Sequence, residues 1–105
     1  MTNERRQHVR YRYPLDAKWL AASKQATSRV ADISLGGCFV ESLLTPGIGE
    51  HTVLTLLVGD TAIEVRGATI AIEPGLGFSM RFDPLPPEQA ERFEALIGAI
   101  RGTTG

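Results

Sequence analysis

From Leu15 to Phe82 the side chains alternate with a period of two, and only after Pro84 does the period lengthen to that of a helix. Short alternating runs bounded by turn residues pair as antiparallel strands and leave one face for a core. The runs are LDAKWLAA (15–22), RVADIS (29–34), CFVES (38–42), TVLTLLV (52–58), TAIEVRGATIAIE (61–73) and FSMRF (78–82). SKQATS (23–28), Gly36-Gly37, the Pro46, Gly47 and Gly49 loop, Gly59-Asp60 and EPGLG separate them. Alternation in 29–34 puts Val30, Asp32 and Ser34 on one face and Ala31 and Ile33 on the other. Gly36-Gly37 supplies the positive φ of a tight hairpin, and Gly67 marks a bulge or bend in a long strand. In PPEQAERFEALIGAIRG, Ala90, Phe93, Leu96, Ile97 and Ile100 recur at helical spacing, with Glu88 and Glu91 near the start and Gly102 as a stop. The expected fold is mainly β: a small six-stranded antiparallel β-barrel carrying a C-terminal α-helix over about residues 86–101.

Composition narrows what such a barrel can do. A chain of 105 residues, 43% of them apolar, makes one domain around one modest core. It has no apolar run long enough to span a bilayer and no apolar stretch behind its first residues, so it is read as cytoplasmic, of bacterial type and without membrane insertion. Cys38 is the only cysteine, which rules out an internal disulfide and a cysteine-based zinc site. Two histidines without metal spacing, and no P-loop, nucleophile elbow or metalloprotease signature, leave no catalytic residues, metal or cofactor to assign, so the chain is not expected to be an enzyme. Trp19 and Cys38 are read as core residues.

The net charge of −1 conceals a split. Residues 1–29 hold seven Lys and Arg against two Asp and Glu, and residues 30–105 hold four against ten. A basic segment on an acidic body attracts phosphates. Within ERRQHVRYRYP (4–14), Arg6 and Arg10 share a side whether the segment is helical or extended, and guanidinium groups pair with phosphate oxygens and with the O6/N7 edge of guanine. Tyr11 and Tyr13 offer either stacking surface or packing against the barrel. By itself the cluster also fits a solvated arm. Further on, an ionised Asp32 can accept from the N1–H and N2–H edge of a guanine, Ser34 can exchange hydrogen bonds with a neighbouring polar atom, and Gly37 lets backbone approach a ligand. By themselves Asp32 and Ser34 equally fit side-chain bonds within the turn.

Taken together these residues resemble the PilZ family, whose pattern is Arg-x-x-x-Arg, some twenty to thirty residues, then Asp/Asn-x-Ser-x-x-Gly. Arg6-Gln-His-Val-Arg10 is followed after twenty-one residues by Asp32-Ile-Ser34-Leu-Gly-Gly37. The resemblance implies a receptor for cyclic di-GMP in which Arg6 and Arg10 grip phosphates and guanine faces, Asp32 and Ser34 read a guanine, and Gly37 keeps the site open. It also implies a flexible basic arm, residues 1–14, that folds over the ligand on a barrel formed by residues 15–105. Arg5, just ahead of the first motif arginine, resembles the class that takes two intercalated ligand molecules per chain. Such a receptor changes conformation on binding and signals to a protein effector. The alternatives are a small β-barrel that binds nucleic acid, to which the acidic body is unsuited, and a ligand-independent PilZ-like protein adaptor, whose usual loss of motif residues is not seen here.

Overall fold

A computed structural model of the chain describes residues 9–22 and 24–104. Six strands follow one another, β1 (Tyr11–Leu20), β2 (Gln25–Ile33), β3 (Gly37–Glu41), β4 (His51–Val58), β5 (Thr61–Glu73) and β6 (Gly77–Phe82), and then α1 (Pro87–Thr104). All neighbouring strands are antiparallel and close into a barrel in the order β1-β2-β3-β6-β5-β4. The expected fold class is therefore the observed one.

Alternation fills the interior. Leu15, Ala17 and Trp19 of β1, Leu54 and Leu56 of β4, Ile63 and Val65 of β5, and Phe78 and Met80 of β6 are all buried. Trp19 is 2% exposed, meets Phe78 edge to face at 5.3 Å between ring centroids, and donates its Nε1–H to the hydroxyls of Ser28 (3.2 Å) and Ser42 (3.3 Å). Those two serines let a large polar-tipped ring lie inside a small barrel. α1 buries Phe93, Leu96, Ile97 and Ile100, and Phe93 meets Phe82 edge to face at 5.4 Å. The helix thus lies across the end of the barrel where β1 begins and β6 finishes. At the turn from β4 to β5, only Gly59 of the central pair has positive φ, at 58°, the requirement of a type II′ hairpin.

The structure departs from the sequence expectations in several places. β1 begins at Tyr11 instead of Leu15, because Tyr11 and Tyr13 extend the inward-facing series and pack against the core. Pro14 is accommodated where the β1–β2 register shifts between Arg12 and Leu15. Gln25–Ser28 belong to β2, and the turn shrinks to a loop closed by the Ala21 N–H donating to the Lys24 carbonyl at 2.8 Å. Polar residues on the outer face of that strand mimic a turn in the sequence. Next, β2 does not alternate throughout. Val30 and Asp32 stand opposite the consecutive residues Val40 and Phe39, so Ala31 is an extra residue and both Val30 and Ile33 are buried. A second bulge falls at Ile70 of β5, not at Gly67. Finally, α1 continues through Gly102 to Thr104.

Candidate ligand-binding site

The bulge at Ala31 turns Asp32 outward at the end of β2, where it stands opposite Arg12 of β1 and Phe39 of β3. Just ahead of β1, Arg10 folds back onto it. Arg10 Nη2 donates to Asp32 Oδ1 at 2.7 Å and Nε donates to the same oxygen at 3.2 Å. The two side chains are 40% and 29% exposed, so the pair is wet and open to competition by another charged group. Oδ2 makes no hydrogen bond among the described residues. Two motif residues separated by twenty-one positions in the chain therefore share one spot on the barrel surface.

The next residues form the floor. Ser34 is buried, and its hydroxyl donates to the Gly37 carbonyl (3.2 Å) while accepting from the N–H groups of Gly36 and Gly37 (both 3.1 Å). One donor and two lone pairs exhaust what a hydroxyl offers, so Ser34 shapes the turn. Neither Gly36 nor Gly37 has positive φ, contrary to the hairpin expectation. Gly37 is required for another reason: a Cβ on it would run into the Met80 carbonyl oxygen of β6. The Phe82 N–H donating to the Gly36 carbonyl at 2.9 Å ties this turn to the end of β6.

Arg5, Arg6 and His8 lie outside the described residues. Arg12, exposed and opposite Asp32, and Arg81, exposed and opposite Gly37, are cations at the site that the motif spacing did not single out. The signal for Arg12 was present in Arg10-Tyr-Arg12, whose spacing of two puts both arginines on one face of an extended segment. Nothing local in the sequence pairs Arg81 with Gly37. Tyr11 and Tyr13 are half-buried against the core, so packing is their role here. Cys38, opposite Ile33, is buried, and burial pushes its thiol pKa up, with the Asp32 carboxylate adding to that effect and Arg10 opposing it. No group of three or more His, Cys, Asp and Glu able to hold a metal occurs among the described residues.

Residues 4–99 match the PilZ domain family. The chain belongs to that family. PilZ domains are non-catalytic. The search of curated proteins returned no match. Among solved structures, this PilZ domain superposes on the PilZ domain of CeSA from a cellulose-synthesizing bacterium with a TM-score of 0.68 at 15% identity, over 92% of this chain and 99% of that one. It superposes on the inhibitor of motility MotI/DgrA of Bacillus subtilis with a TM-score of 0.67 at 20% identity, over 84% of this chain. That comparison spans 46% of the length of the motility inhibitor. At these identities the likeness is one of fold. No helix among the described residues of the PilZ domain is long and apolar enough to cross a membrane.

Proposed function

We propose that the chain is a cyclic di-GMP receptor that passes the signal to a protein partner. The observation carrying this reading is the meeting of Arg10 and Asp32 on the outside of a PilZ barrel. Asp32 offers the carboxylate that a guanine N1–H and N2–H edge recognises, a pairing adenine cannot supply. Arg10 offers a planar fork for phosphate or for a guanine O6/N7 edge. In the free chain they satisfy one another, and both of Asp32's oxygens serve a guanine only if Arg10 yields Oδ1. Binding is then an exchange: Arg10 moves from the carboxylate to the ligand, and Asp32 moves from Arg10 to the base.

Arg6 adds a second fork and Arg5 a surface for a second, stacked guanine, giving two ligands per chain. Ser34 and Gly37 hold the floor of the site through the turn geometry. The segment ahead of β1 closes over the ligand, which changes the surface shown to the partner, and its ordering entropy is offset by several charge-assisted contacts.

Isothermal titration calorimetry with cyclic di-GMP near physiological salt, with GMP as control, tests the proposal. Saturable and selective heat supports it, and a stoichiometry of two supports the place given to Arg5. Absence of heat together with an unmoved thermal melt would overturn it. Steeply salt-dependent binding to RNA or DNA in its place would favour a nucleic-acid binder.

A further inference from the structure

β3 runs from Gly37 at the Arg10–Asp32 site to Glu41 at the opposite end of the barrel, about 13 Å away. That far end carries an apolar surface that the proposed ligand site does not use. Leu43 (90% exposed), Leu44, Ile48, Ile70 and Leu76 account for five of the eight large exposed hydrophobic residues among the described residues, and all come from the β3–β4 loop, the β5 bulge and the β5–β6 turn. Hydrogen bonds hold these segments together: the Ser42 N–H donates to the Leu76 carbonyl (3.2 Å) and the Gly49 N–H to the Thr69 carbonyl (2.7 Å). The Glu50 carboxylate pins the loop from both sides, accepting from the Gly47 N–H (2.7 Å) and the Ala22 N–H (3.1 Å). The surface is thus preformed, and ordering it costs a partner little.

What covers it follows from charge and topology. Segments 41–50 and 70–77 contain three carboxylates, Glu41, Glu50 and Glu73, and no lysine or arginine. The Lys24 ammonium that reaches them donates to the Thr45 carbonyl at 3.0 Å. A second copy docked face to face would set carboxylates against carboxylates, and an anionic lipid surface would meet the same repulsion. A closed barrel leaves no strand edge for an added strand. We infer that this end docks a helical or looped protein segment whose apolar face is flanked by lysine or arginine. The inference rests on the receptor reading in one respect: it gives the partner of that receptor a place and a chemistry. Because the surface is built by fixed segments away from Asp32, it holds the partner with or without the nucleotide, and the ligand-dependent change at the Arg10–Asp32 end acts on a partner already held.

The test is a titration of the isotope-labelled chain, followed by amide NMR, with a synthetic amphipathic helix of leucine and lysine and with a leucine and glutamate control. The expected shifts are confined to residues 41–50 and 70–77 and appear with the lysine peptide only. The double variant Leu43→Ser/Leu76→Ser, altered at two exposed positions, should weaken binding about tenfold. Equal response to both peptides, shifts elsewhere, no response, or undiminished binding by the double variant would overturn the inference. So would a wild-type dimer in sedimentation that the double variant abolishes, or binding to phosphatidylglycerol vesicles through this end. Cyclic di-GMP is titrated separately and read at the Asp32 and Gly37 amides. A nucleotide response without a peptide response sinks the docking surface alone, and the reverse sinks the receptor alone.

Discussion

Arg10 reaches across the first hairpin to place two donors, Nη2 at 2.7 Å and Nε at 3.2 Å, on a single oxygen of Asp32. Ion pairs this exposed contribute little to stability, at most about 1 kcal/mol. Arg10→Ala and Asp32→Ala are therefore expected to weaken cyclic di-GMP binding by about tenfold or more while moving the urea midpoint only slightly. Calorimetry and urea unfolding on the same two variants separate the effects. A large loss of stability with intact affinity would make the pair a structural clasp.

Ser34 and Gly37 should behave in the opposite way. Ser34→Ala leaves two N–H groups without their acceptor in a buried turn, at a cost of about 1–3 kcal/mol. Gly37→Ala forces β3 away from the Met80 carbonyl oxygen, costing about 1–3 kcal/mol as overpacking does. Both losses should be seen in urea unfolding without any nucleotide present. Wild-type stability in Gly37→Ala would show that β3 and β6 are not held as closely as described.

Trp19→Phe removes the donor shared by Ser28 and Ser42 and shrinks the ring that meets Phe78. The expected destabilisation is about 1–3 kcal/mol. Trp19 is the only tryptophan, so unfolding of this variant is followed by circular dichroism instead of indole fluorescence.

Cys38 should stay inert while the chain is folded. Burial raises its pKa, so the thiol stays protonated where an exposed one ionises, and alkylating reagents should react only after unfolding. The sign of the linkage follows. The folded state retains a proton that the unfolded state gives up above about pH 8.5, so stability is unaffected below that pH and falls as pH rises beyond it. Cys38→Ala should flatten that alkaline decline, and an equally steep decline in the variant would assign it elsewhere.

The strand and helix periods made the barrel legible because inward residues such as Ile63, Val65, Phe78 and Met80 alternate without interruption. The motif spacing likewise named Arg10 and Asp32, which the fold brings together. What the sequence concealed lies where alternation fails or where distant backbone decides. Ala31 looks like any strand residue, and only the register with β3 reveals it as an insertion. Gly37 has the look of a turn glycine, yet its constraint comes from Met80, forty-three residues further on. Ser34 has the spacing of a ligand contact, but its hydroxyl is fully occupied by the turn.

The bulge in β2 has a consequence for how this surface can vary. Without the bulge, strict alternation from Val30 through Ala31 would point the Asp32 carboxylate into the barrel and Ile33 into water. A slip of the β2–β3 pairing by one residue that took up the bulge would carry Asp32 off the surface and Ile33 out of the core in a single event, with every chemically active side chain still present in the chain. Substitution can alter the candidate site one residue at a time; a change of register would alter both faces of the strand at once. The candidate site is a phase shift written into the wall of the barrel.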